Sequence, residues 1–446
     1  MRGGKAWVGL LILAAALVAP VDGGAAPAVR SLLVLPYQPA DLEREEQWLG
    51  HGVAHLLSLA LVNHPAFVVV DPARVQRLGH PEAWGEEVVL AAARAVRADL
   101  ALYGEIKRVS GDLVLLPRFA ELRGAAVETR ALPPITVAEG KVPEGLSGLP
   151  LAYLKALRLP LSEGDTARIE KSAVPTRSVR AFEEYVKGRN AGLVGTQAGN
   201  EAAADLLAKA VELDPSFVAA QYALGLSHLA LGNRWKAAAQ FRASTQLDPA
   251  FPEPYKALGD LFLAAPRRLF DQAVEAYVKA LELRPFYADA YVGLGDARAA
   301  KGEVDGAIAS YQKALLYNPA NPKVHMSLGK IYFAEKGLYY ESVSAYKKAI
   351  DLDPQFLEAR MGLGEVYEDK GLYPEAIQEY RKVVELDPQH TGGLYNLALV
   401  YEKTDPREAI AQWERYIALA SQLPTEKDWV DVARQHLRKL RNQLKD

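Results

Sequence analysis

The sequence predicts an α+β protein in which a small α/β domain is followed by an all-α superhelical solenoid. Three observations carry this. Short apolar runs alternate with amphipathic helical patterns over the first 140 residues. Prolines then recur at 215, 249, 285, 319, 354 and 388, at intervals of 34 to 36 residues, a period that signals stacked units. Finally, residues 425–446 are amphipathic and strongly polar on one side, as the terminal cap of such a stack must be. At 446 residues, 50% hydrophobic and 24% charged, the chain is long enough for two folding units with real cores.

In chain order, Arg2 and Lys5 precede an apolar run from Ala6 to Ala19 that ends at Pro20. Small residues follow, with Ala26-Pro27-Ala28 as the cleavage site of an expected signal peptide over 1–28. The run is shorter than the roughly 20 apolar residues a bilayer-spanning helix needs, although retention as an anchor stays open. The mature chain is then expected to be periplasmic or secreted, with no transmembrane segment. There is no cysteine, which leaves no disulfide, no lipid-anchored cysteine and no thiolate metal site. Net charge is −3, with no basic excess to neutralise a phosphate backbone, so no nucleic acid is expected as a partner.

The front domain is expected over 29–140. RSLLVLPY (30–37) reads as a strand, 41–64 as a long helix and FVVVD (67–71) as a second strand. Residues 71–78 and 86–96 read as helices. A hairpin is expected over 100–122 across Ser110-Gly111, and a further strand over 126–135. Residues 141–180 are expected as a linker with a bridging helix.

Behind the linker, each period splits into two helical patterns broken by LGN (231–233), AKGE (300–303) or DKGLY (369–373), where glycine closes the first helix. Small residues such as Gly295 and Ala307 let backbones approach, and large ones such as Leu294 and Tyr311 fill the space between. Asp-Pro or Asn-Pro ends the second helix, because proline disfavours a helical residue before it. Leu294-Gly295, Ala307, Tyr311, Ala314 and Pro319, with their counterparts in neighbouring periods, resemble the tetratricopeptide repeat. The resemblance implies full units at 216–249, 250–285, 286–319, 320–354 and 355–388. Degenerate units at 181–215 and 389–420 flank them, giving about seven over 181–422, with a capping helix at 423–446. In the last unit Ala398 stands for the usual glycine and Trp413 for the usual Tyr or Phe.

The front domain, through VLPY, Gly52-Val53, AVRADLALYGEI and the strand pair about Gly111, resembles the α/β domain at the amino terminus of TolB and of many bacterial repeat proteins. Residues 145–189 look like the usual bridge from that domain into an array. The family's closing strand, with its Gly-Glu turn and Trp, is replaced here by ALPPITVAEGKVPEG. This resemblance implies partner contact in the cell envelope rather than a reaction.

Catalytic and cofactor patterns are sparse. His51 and His55 share a helix face at the spacing of a metal pair, but Gly52 stands where a zinc-protease helix carries glutamate. Gly293-Leu294-Gly295 and Gly362-Leu363-Gly364 lie inside helices and lack the third glycine of a nucleotide loop. No cofactor, metal or catalytic residue is assigned. The remaining candidate is the concave face that a stack of helical hairpins creates. By resemblance the first helix of each unit lines it, through Tyr222, Leu226, Lys256, Asp260, Val292, Asp296, Met326, Lys330, Met361, Glu365, Tyr395 and Leu399. This row lacks the Lys/Asn/Arg set by which repeat proteins of the chaperone-tail-binding type hold a terminal carboxylate. Charged members are expected to be solvated, so Asp296→Ala should change stability by only about 0.5 kcal/mol. The expected function is non-catalytic scaffolding of a protein or peptide partner in the envelope. A metal-dependent binder or enzyme around His51 and His55 is the alternative, or an accessory role in outer-membrane export or glycan assembly.

Overall fold

A computed structural model describes residues 29–76, 85–124, 126–138 and 140–444. The expected signal peptide lies outside the described residues. The front domain opens with β1 (Arg30–Val34), β2 (Gln38–Ala40), α1 (Trp48–Leu61), β3 (Phe67–Val69), α2 (Pro72–Gln76) and α3 (Glu86–Ala95). It continues with β4 (Leu100–Val109), β5 (Asp112–Arg123), β6 (Ala126–Ala131) and β7 (Ile135–Val137). These strands form one mixed sheet in the order β3-β1-β4-β5-β6, with β2 also on β4 and β7 also on β5. β1 runs parallel to β3 and β4, while β4 and β5 form an antiparallel hairpin turned by Ser110 and Gly111, both at positive φ.

Alternation along the strands sends side chains to two different cores. Leu32, Val34, Leu100 and Leu102 pack under α1, whereas Leu33, Leu35, Ala101 and Tyr103 pack under α3. The helix expected from residue 41 begins only at Trp48. Asp41 sits at φ 57°, which helical backbone excludes, and the stretch before α1 instead supplies β2 and a short 3₁₀ turn at Arg44–Glu46. Gly50 is fixed by close approach, since a Cβ there would lie 2.0 Å from the Tyr37 carbonyl oxygen.

The stretch expected as a linker with one bridging helix folds as three, α4 (Val142–Gly145), α5 (Leu149–Ala156) and α6 (Glu163–Ala173). Tyr153 on α5 is fully buried. The Tyr37 hydroxyl lies 2.5 Å from the Tyr153 hydroxyl, whose proton is shared between the Tyr103 and Arg118 carbonyls at 3.2 and 3.1 Å. α6 starts at a capping box of Ser162 and Asp165 and packs on α1.

Behind it stand seven antiparallel helix pairs. They are α7 and α8 (Val179–Leu193, Gln197–Leu213), α9 and α10 (Val218–Ala230, Arg234–Leu247), α11 and α12 (Pro252–Leu263, Phe270–Leu283), and α13 and α14 (Ala288–Ala300, Val304–Tyr317). Next come α15 and α16 (Pro322–Ala334, Tyr339–Leu352), α17 and α18 (Leu357–Asp369, Tyr373–Leu386), and α19 and α20 (Thr391–Thr404, Pro406–Ala420). The amphipathic α21 (Lys427–Gln443) then covers the last pair with Val430, Ala433, Leu437 and Leu440.

One contact repeats along the stack. The second helix of a unit inserts an aromatic ring against a glycine of its own first helix and a small residue of the next. Tyr277 is the clearest case: a Cβ on Gly259 would meet its ring at 2.7 Å, and one on Gly293 at 2.3 Å. Tyr346 sits likewise between Gly329 and Gly362. The two regions are not separate bodies. A single apolar cluster runs from Leu32 through Val53 and Phe182 to Phe217 and Leu224, with Trp48 edge-on to Phe182 at 5.9 Å.

Candidate functional site

First helices of neighbouring units touch, α7 with α9, α11 with α13 and α15 with α17, so they line the inner side of the stack. Between α11 and α15 this side opens into a hollow of about 320 Å³ lined by Lys256, Asp260, Tyr277, Val292, Asp296 and Lys323. A second hollow of about 440 Å³ follows, where Asp296, Tyr311, Ser327 and Lys330 face the space. Asp296 belongs to both, so the two form one trough.

Five of the twelve sequence-predicted residues meet there: Lys256, Asp260, Val292, Asp296 and Lys330. Met326, Met361 and Glu365 continue the same row onto the next units, the methionines half-buried and Glu365 exposed. The ends of the row are used for packing. Tyr222 lies between Phe241 and Phe251, each 5.7 Å away, with Leu226 against the same cluster. Tyr395 stands edge-on to Trp413, Tyr416 and Trp429 at 5.0 to 5.6 Å, and Leu399 joins that core.

The charged members are more tied down than the sequence suggests. The Tyr277 hydroxyl donates to Asp260 Oδ1 at 2.7 Å, and Lys256 pairs with the other oxygen at 2.8 Å. The Tyr311 hydroxyl donates to Asp296 Oδ1 at 2.6 Å. Burial raises the Asp296 carboxyl above the ordinary range and the charge of Asp260 adds to this, while the Tyr311 bond and Lys256 oppose it. The Glu365 carboxyl, although its tip reaches solvent, is also raised, by partial desolvation against its neighbours and by the charge of Glu368. This corrects the expectation that Asp296 is a freely solvated residue of small energetic weight: it accepts the bond of a buried core hydroxyl.

In the last two units the partner shifts one turn along, Tyr380 donating to Glu368 at 3.2 Å and Trp413 Nε1 to Glu402 at 2.7 Å. Sequence reasoning missed Tyr277, Tyr311 and Lys323 as trough residues. The available signal was an Asp directly after Gly259 and Gly295, opposite a tyrosine rather than a phenylalanine.

The alternative site has a different character. A small cavity of about 50 Å³ at the carboxyl ends of β1 and β3 is lined by Val34, His51, His55, Ser58 and Gln76, and is closed by Asn190 of α7. His55 is 8% exposed and its Nε2 meets Asn190 Oδ1 at 3.0 Å. Burial, with the Arg189 charge, lowers its pKa from 6.5 to about 3, so the ring is neutral and joins α1 to α7. Among the described residues, no group of three or more His, Cys, Asp or Glu side chains is placed to hold a metal ion. No helix among them is long and apolar enough to cross a membrane.

Comparison with known proteins places the helical region. A TPR repeat family matches residues 270–302 and 295–335, and a second tetratricopeptide repeat family matches 195–252 and 331–391. The small glutamine-rich tetratricopeptide repeat-containing protein 2 of Mycosarcoma maydis is 33% identical over 116 residues, 26% of this chain. The chain spans about a third of that relative's length, 32%. Among solved structures, MamA is similar at 28% identity over 37% of this chain and 95% of its own, with a TM-score of 0.34. YrrB, a TPR protein with an unusual peptide-binding site, is similar at 24% identity over 42% and 95%, with a TM-score of 0.35. At such TM-scores these two likenesses add no weight to the matched repeats themselves. The repeat matches fall on helix pairs built around the aromatic–glycine contact, and the chain carries tetratricopeptide repeats behind a mixed-sheet α/β domain.

Proposed function

We propose that this protein is a non-catalytic adaptor of the cell envelope that holds a segment of a protein partner in the trough between Lys256 and Lys330. The observation that carries the reading is the trough itself. Two adjoining hollows, of about 320 and 440 Å³, are open on the inner side of the array and share Asp296 as a common wall. Both lysines and carboxylates line them, which suits an extended segment carrying both signs of charge better than a terminal carboxylate. The resemblance of the front domain to the TolB amino-terminal domain and the export signal expected from residues 1–28 support the envelope as the place of action.

Lys323 and Lys330 are both exposed and line the trough, so reversing their charge leaves the core untouched. Crosslinking from an envelope fraction with the parent chain should recover one partner in stoichiometric yield, and the Lys323→Glu/Lys330→Glu chain should lose it. Equal recovery by both chains would reject the trough as the docking face, and recovery from the cytoplasmic fraction alone would reject the location.

A further inference from the structure

Two arginines stand where local structure favours another residue, and both reach across from one region to the other. The first is Arg97. α3 ends with the Ala98 amide bonded to the Ala93 carbonyl, a cap whose preceding residue is left-handed and commonly glycine. Here that residue is Arg97, at φ 55°. Its guanidinium donates to the Leu352 carbonyl at 2.7 Å, at the carboxyl end of α16, where unpaired carbonyls and the helix dipole favour a cation.

The second is Arg284. The residues before the joint prolines are Asp214, Asp248, Arg284, Asn318, Asp353 and Asp387. The aspartates at four of these joints accept the backbone N–H two residues on, at 3.0 to 3.1 Å, which closes the turn. Arginine cannot make that bond. Arg284 is 2% exposed, lies over the Tyr287 ring at 4.8 Å, and donates to Glu253 at 2.6 Å and to Asn63 of the front domain at 3.1 Å. Asn63 also donates to Ser172 of α6, and Lys171 of the same helix pairs with Asp248 at 2.6 Å.

The front domain with its α6 therefore touches the carboxyl ends of α10, α12 and α16. At α7 it is fused to the array through the shared apolar cluster, but these farther contacts are polar or charged. A local preference broken twice in favour of a long-range contact marks a feature of the assembled molecule. We propose that the α/β domain is a built-in brace: Arg97 and Arg284 strap it along the rim of the array, hold the array's curvature, and so set the width of the trough. The statement about trough width rests on reading the trough as the docking face; the statement about curvature does not.

The absence of cysteine makes the test direct. Exposed Asp205 and Gln389 lie in the first and last parts of the array, and Asp205→Cys/Gln389→Cys gives a full chain with only two spin labels. Pulsed electron resonance then reads the span of the array with no partner present, so this test and the partner test fail separately. The parent should give one narrow distance at low salt. Arg97→Gly, which restores the preferred cap residue, and Arg284→Asp, which restores the usual joint, should each lengthen and broaden it, as should about 1 M salt in the parent. Should Arg284→Asp fail to fold, Arg97→Gly decides alone, because that side chain is on the surface. Distances unchanged in Arg97→Gly and at high salt would overturn the brace.

Discussion

The two regions use aromatic side chains in opposite ways. In the array, Tyr277 packs against Gly259 and Gly293, fewer than 20 residues away on either side, and the arrangement recurs unit after unit. In the front domain, Tyr37 meets Tyr153 of α5 across 116 residues. The array is thus a sum of neighbour contacts, whereas the front domain is closed by single long-range ones. Where they join, at Phe182 and Tyr185, the array's first unit has traded its repeat core for the domain's.

The two regions depend on each other most at that junction. Phe182 is fully buried against Trp48 and Tyr185, so Phe182→Ala should cost about 3–5 kcal/mol. Urea unfolding followed by both tyrosine fluorescence and circular dichroism should show front domain and first unit failing together. Two well-separated transitions, only one of them shifted, would show that the regions are independent.

Next in size is the neighbour contact. Gly293→Ala forces the Tyr277 ring to move and should cost about 1–3 kcal/mol in thermal melting, while Gly148→Ala, where nothing lies within 4 Å of the added Cβ, should be nearly neutral.

Asp296 sharpens the boundary between core and trough. Asp296→Ala removes the carboxylate that accepts from the Tyr311 hydroxyl and should cost about 1–3 kcal/mol, more than a solvated carboxylate would. Asp296→Asn keeps an acceptor and removes the charge. Because the folded carboxyl is raised, its protonated form favours the fold: that stability is present in acid and lost as pH rises through the raised value. Asp296→Asn should therefore flatten the melting temperature against pH on the alkaline side of the ordinary carboxylate range.

His55 has the opposite sign and sits at the junction. Its pKa is lowered to about 3, so the neutral ring favours the fold; this contribution is full above 6.5 and lost as pH falls from there toward 3. His55→Gln should remove that acid-side slope in the transition of the front domain, and leave the Asp296 slope unchanged.

How much the sequence disclosed follows the same division. The helix pairs, their joints and the small-against-large contacts were legible because each is written several times at one period. The start of α1 was not, and in place of α4 to α6 only one bridging helix was legible. A left-handed Asp41 and a buried Tyr153 are single events whose reason lies in strands far along the chain. In the candidate site, the row of inner-face residues was legible from helical spacing, and Lys256, Asp260, Val292, Asp296 and Lys330 do share one trough. The divided duty of Asp260 and Asp296 was hidden, because spacing places a side chain on a face and is silent on the hydroxyl that reaches it from the neighbouring helix. Tyr222 and Tyr395 read as groove residues by position, yet the aromatic cores beneath them claim most of their surface.

The smallest structural change carries the largest functional weight. Val292 lines the trough half-buried with its other side against the Tyr311 and Leu328 cluster, so a photo-crosslinking residue placed there faces the hollow from the edge of the core. Irradiation in cells should join the chain to one partner through position 292, and not through exposed Asp205 on α8. The adduct should vanish in the Lys323→Glu/Lys330→Glu background while the melting temperature stays the same. An equal yield at 292 and 205, or an adduct that survives the charge reversal, would contradict the trough as the place where this protein works.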